Sequence, residues 1–94
     1  MTNPTFEAFQ ASARSTLVTI GVPYEELKLL DAKGPSFDFY ADGGVDSLDM
    51  LDVVFYIDRD LGVKINFDKL ILDEKPVTLQ NLYGAIRKDA HLPA

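Results

Sequence analysis

The sequence predicts an all-α fold, a small four-helix bundle of three longer helices and one short one, with a long loop between the first and second longer helices. Apolar residues recur at spacings of three and four in the segments assigned to helices. Capping residues and Gly/Pro stops bracket those segments. A chain of 94 residues, 47% hydrophobic and 26% charged, falls in the range of a single globular domain spanning 1–94.

Over residues 5–20 the apolar positions Phe6, Phe9, Ala13, Leu17 and Ile20 form one helical stripe, and Gly21-Val22-Pro23 stops it. Residues 24–30 add a short turn of helix. A long loop over residues 31–44 follows, broken by Gly34-Pro35 and Gly43-Gly44; Phe37, Phe39 and Tyr40 supply apolar surface to pack it. Ser47 opens the next helix as a favoured N-cap, with Asp46 and Asp49 at the positive end of its dipole, and Gly62 closes it. After a short extended stretch, Asn66 is placed to cap the brief helix over residues 67–72. Thr78 caps a last helix carrying Leu79, Leu82, Tyr83 and Ile86, with Arg87 and Lys88 complementing its C-terminal end.

The helix that begins at Ser47 has more apolar surface than one core contact needs. At about 100° per residue, Met50, Val53, Val54, Ile57 and Leu61 make the core face. Leu48, Leu51 and Phe55 make a second, neighbouring stripe, flanked by Asp52, Asp58 and Arg59. That stripe either packs under the long loop or is a docking surface, apolar at its centre and charged at its rim.

Composition removes several functions. A net charge of −6 repels phosphate, so neither nucleic acid nor an anionic membrane is expected as a partner, and a basic protein surface is favoured. No apolar stretch approaches the roughly 20 residues that cross a bilayer, so no membrane insertion is expected. The N-terminal residues lack a signal-peptide pattern, which makes a cytoplasmic protein the expectation. With no Cys there is neither a disulfide framework nor a thiolate metal site.

Ser47 then needs a role. A nucleophile would need a base, but the only His is His91 near the chain end, and no G-x-S-x-G elbow exists; catalysis is not expected. The acidic loop partly mimics a calcium loop, with Asp38 first, Asp42 fifth, Gly43 sixth, Val45 eighth, Asp46 ninth and Asp49 twelfth. Tyr40 stands at the third place and an Asp replaces the bidentate Glu at the twelfth, so no metal site is expected. An unmodified adaptor or calcium-binding module using this loop and helix is the alternative. The remaining reading is that Ser47 carries a group, since a helix N-terminus favours an attached phosphate.

The stretch GGVDSLDMLDVVFYIDRDLGVKI, residues 43–65, resembles the central motif of acyl carrier proteins, with Asp46, Ser47, Leu48 and Asp49 matching residue for residue. The resemblance runs over nearly the whole chain in its order of helices, and Gly43-Gly44 is similar to the pair that precedes the modified serine of peptidyl carrier domains. It implies a covalent 4′-phosphopantetheine arm on Ser47, whose thiol holds an acyl or aminoacyl thioester. It also implies a phosphopantetheinyl transferase, a loading ligase or acyltransferase and downstream biosynthetic enzymes as partners of a freestanding monomer that is not itself an enzyme. By position, Leu48, Leu51, Asp52, Phe55, Asp58 and Arg59 become the docking surface. Fatty-acid carriers usually have a run of Glu where this chain reads YIDRDLG, and its Arg59 and bulky Phe55 point to a dedicated polyketide, nonribosomal-peptide or aminoacyl pathway.

Overall fold

Thr5 accepts a hydrogen bond from the Ala8 N–H at 3.1 Å and so starts α1 (Phe6–Thr19) in a computed structural model that describes residues 4–86. The predicted stripe is the buried one: Phe9, Ala13 and Leu17 have no exposed surface, and Phe6 and Ile20 pack at the edge of the core. Gly21 follows at φ 92°, a backbone setting that glycine adopts without steric cost.

The next segment departs from expectation. Residues 24–33 form a full helix, α2 (Tyr24–Lys33), rather than a short turn. Glu25 and Glu26 lie in its first turn and Lys33 in its last, each where the dipole favours that charge. Leu27 and Leu30 are buried, and Asp31 pairs with Arg14 of α1 at 2.9 Å. A 3₁₀ turn (Gly34–Ser36) then leads into the connection to α3 (Ser47–Leu61), which is followed by α4 (Phe67–Leu72) and α5 (Leu79–Gly84). The fold is thus all-helical, with five α-helices among the described residues and no named strand, instead of the four helices expected.

Three boundaries differ in detail. Asp46, not Ser47, caps α3, its carboxylate accepting from the Asp49 N–H at 2.8 Å. Asn66 precedes α4 as expected but makes no side-chain cap; its N–H donates to the Ala85 carbonyl at 2.8 Å. Thr78 does cap α5, accepting from the Asn81 N–H, but the helix ends at Gly84, and Ile86 instead bridges to Ile65. Arg87, Lys88 and His91 lie outside the described residues.

The long connection is held by its own side chains, as its aromatic content predicted. Phe37 and Phe39 are fully buried, edge to face with ring centroids 5.5 Å apart, and Tyr40 packs beside them. The backbone is paired to the segment before α5: Phe39 N–H donates to the Val77 carbonyl and Leu79 N–H to the Phe37 carbonyl. Between the connection's two ends, Val45 N–H returns to the Phe39 carbonyl, so Ser47 begins its helix two residues beyond a buried anchor. No helix among the described residues is long and apolar enough to cross a membrane.

Candidate functional site

α3 presents the candidate residues. Its core face is formed by Met50, Val53 and Ile57, all fully buried, while Val54 and Leu61 are half-buried at its margin. α3 packs mainly on α1, so one side of the helix is committed to the core and the opposite side is left open. On that open side Leu48 is 75%, Leu51 57% and Phe55 59% exposed. The reading in which this stripe packs beneath the long loop is therefore excluded; Phe37 and Phe39 fill that space. Apolar side chains in a row along a helix with nothing over them are a costly surface unless something covers them.

Ser47 is exposed at the first turn of α3, beside Leu48. Because Asp46 takes the capping role, the serine hydroxyl is left out of the cap. The preceding glycines have separate structural reasons. A Cβ on Gly43 would lie 2.7 Å from the Phe39 carbonyl oxygen and 2.9 Å from the Phe37 ring, closer than packed atoms tolerate, and Gly44 sits at φ 66°. Both features bring the chain from the buried phenylalanines to the exposed serine within a few residues.

Around the ridge, Asp49 and Asp52 are exposed, whereas Asp58 differs from the surface role expected for it. Its side chain is mostly buried, accepts a hydrogen bond from the Ile65 N–H at 3.0 Å and has Lys64 Nζ at 3.9 Å. Burial raises the Asp58 carboxyl above the ordinary range, against the lowering effects of the Ile65 N–H and Lys64. Arg59 is exposed, its guanidinium carbon 5.6 Å from the Phe55 ring centroid and 5.3 Å from that of Tyr56. Tyr56 had not been singled out from sequence, and neither had Ile71 and Leu72 of α4, which are also exposed. Adjacent aromatic residues four and three positions before an arginine, one helical turn away, were the available signal for the stack, whereas α4 is too short for a clear periodicity.

The acidic loop is spent on backbone structure. One Asp38 oxygen accepts from the Tyr40 and Ala41 N–H groups, Asp42 accepts from the Asp38 N–H and pairs with Lys33 at 2.9 Å, and Asp46 caps α3. Among the described residues no three acidic or histidine side chains come together as a metal would require.

Compared with family models, curated proteins and solved structures, the chain matches none.

The two perturbed carboxylates near this site have opposite pH signatures. The Asp38 N–H, and then Lys33, hold the Asp42 carboxyl below its usual range, so its stabilisation is present above the unfolded pKa and is lost as pH falls through the depressed folded value. Asp58 is raised, so its contribution is fully present at low pH and is lost as pH rises through its folded value. Melting curves from pH 7 downward should show Asp42→Asn less stable than wild type at neutral pH, the gap closing in acid. Asp58→Asn, which keeps an acceptor for Ile65 and removes the buried charge, should be neutral or stabilising at pH 7.

Proposed function

We propose that the protein is a freestanding carrier protein, not itself an enzyme, that bears a 4′-phosphopantetheine arm on Ser47 and holds acyl or aminoacyl intermediates as thioesters on the arm's thiol. The observation that carries this reading is the pairing of an exposed, uncommitted serine hydroxyl at the start of α3 with an exposed apolar ridge running down the same helix. An attachment point needs an accessible hydroxyl, and a carrier needs a surface by which successive enzymes position it. The likeness of residues 43–65 to the acyl carrier motif supports the same reading. In that scheme α1, α3, α4 and α5 are the four-helix bundle, and α2 is an additional helix in the first connection.

In the attachment reaction the Ser47 oxygen attacks the phosphorus of coenzyme A that bears the pantetheine group. A serine phosphodiester forms, the pyrophosphate bond breaks, adenosine 3′,5′-bisphosphate leaves and the hydroxyl proton passes to the transferase. The α3 N-terminus favours the new negative charge, because its first N–H groups point towards it. Leu48, Leu51 and Phe55 would dock the transferase, the loading ligase or acyltransferase and the downstream enzymes, with Asp49 and Asp52 at the rim. Arg59 puts a positive charge on a surface that is otherwise acidic, which favours a dedicated pathway over housekeeping fatty-acid synthesis.

Intact mass measured before and after incubation with coenzyme A and a phosphopantetheinyl transferase tests the assignment: one arm's mass is expected on the folded protein. An unchanged mass with several such transferases of differing specificity would sink it and leave the unmodified adaptor. Phe55→Ala separates ridge from core. Its unfolding free energy should stay within about 0.5 kcal/mol of wild type, as for other surface positions, while transferase kcat/KM falls roughly fivefold or more, the equivalent of losing about 1 kcal/mol at an interface anchor. A large loss of stability with an unchanged rate would move the docking surface elsewhere.

A further inference from the structure

On the open side of α3, Leu48, Asp52, Phe55 and Arg59 follow one another at spacings of four, three and four. They therefore stand in one row, within about 60° of the helix's circumference, with Leu51 beside it. All five are exposed, and Asp58, which the same period brings to the edge of the row, is turned inward to the Ile65 N–H. Arg59 leans on the Phe55 ring at 5.6 Å and, among the described residues, forms no salt bridge. One turn further on, Gly62 is exposed, and a Cβ there would meet nothing within 4 Å. The row thus has an acid before its central ring and a base after it, a pattern complementary to its own reverse.

We infer that this row is where two copies of the protein pair reversibly, their α3 helices antiparallel about a two-fold axis at Phe55. Under that axis Phe55 meets Phe55 of the second copy. Arg59, four residues after the axis, reaches the second copy's Asp52, three residues before it, and the symmetry repeats the contact. Leu48, seven residues before, comes over Gly62, seven after, where no side chain stands in the way. Parallel helices would instead set Asp52 against Asp52 and Arg59 against Arg59, so charge selects the antiparallel pair, as the helix dipoles do. The net charge of −6 on each copy opposes association, but at physiological salt it is screened beyond about 8 Å, and the Asp52–Arg59 contacts are shorter than that. Three apolar side chains per copy bury less than the roughly 1,200 Å² of a stable complex, so the pair is weak and forms only at high concentration. Pairing stands on the exposed row alone, whether or not Ser47 carries an arm. It covers the surface assigned above to enzymes, which makes the pair a resting form that a docking enzyme displaces.

Sedimentation velocity of the unmodified protein, from micromolar to millimolar concentration, tests the pairing. The average mass should climb from monomer towards dimer, and Phe55→Ala should hold it at monomer. Arg59→Asp sets acid against Asp52 of the second copy, and Asp52→Arg sets base against Arg59; each should weaken the pair about fivefold or more. The double variant Asp52→Arg/Arg59→Asp restores opposite charges with their places exchanged and should return the dissociation constant to near the wild-type value. All four substitution sets lie at exposed positions, and a thermal melt of each checks that it folds. A monomer at every concentration overturns the pairing and leaves the row to other proteins. Association that survives Phe55→Ala places the contact on another face and overturns it too. So does association that the single charge reversals leave unchanged, or that the double variant fails to restore. None of these measurements needs a loaded Ser47, so failure of arm attachment and failure of pairing are read separately.

Discussion

Ser47→Ala is expected to abolish arm attachment completely while leaving the fold as stable as the wild type. The reason lies in which residue caps α3. Had Ser47 been the N-cap, its loss would cost about 0.5–2 kcal/mol. The cap is Asp46, whose carboxylate holds the Asp49 N–H, and Ser47 is the first residue of the helix proper, where Ala is at least as good a helix former as Ser. The stability loss should therefore appear in Asp46→Ala, in which the Ser47 hydroxyl is still present, and be absent in Ser47→Ala. Intact mass after transferase treatment and a thermal melt of both variants check the pair. Attachment surviving in Ser47→Ala would show that the serine is wrong; a melting loss in Ser47→Ala matching that of Asp46→Ala would show that the cap assignment is wrong.

Phe39→Ala is expected to have the largest effect on the fold, a loss of about 3–5 kcal/mol for a buried phenylalanine. A domain of this size has total stability of the same order, so the variant should be largely unfolded at moderate temperature. Phe39 is fully buried, its ring packs on Phe37, its N–H is held by Val77 and its carbonyl by Val45. Its carbonyl is also the atom that Gly43 approaches too closely for any Cβ. Removing the ring thus loosens the anchor from which the chain rises to Ser47. Urea titration of Phe39→Ala beside Phe55→Ala gives the contrast: two phenylalanines of the same composition, one core and one surface. Similar midpoints for the two would contradict the burial pattern.

The helices that were legible in the sequence are those whose apolar spacing is long and uninterrupted. α1 and α3 run for 14 and 15 residues, so four stripe positions in α1, continued by Ile20 at its C-cap, and five in α3 define the core face of each. α2 was underestimated because Leu27, Leu29 and Leu30 are few and the charges between them carry no clear period. The contacts that hold it, burial of Leu27 and Leu30 and, more weakly, the exposed Arg14–Asp31 pair, are made across the chain. The cap of α3 was shifted by one residue for a local reason: Asp46 and Ser47 both suit an N-cap, and backbone dihedrals chose the aspartate.

By itself the sequence determined that α3 carries two apolar stripes and that a serine stands at its start, because a helical period places every side chain at a known angle. It left open whether the second stripe is covered by the long loop or faces water, since angle alone does not say where the neighbours are. Tertiary structure decided that. α1 covers Met50, Val53 and Ile57, and the aromatic loop is filled by its own Phe37 and Phe39, so Leu48, Leu51 and Phe55 remain uncovered. The same packing drew Asp58 inward to the Ile65 N–H and opposed the hydroxyls of α1 to Arg59. Neither contact has a period in the sequence, because each joins residues that only the folded backbone brings together.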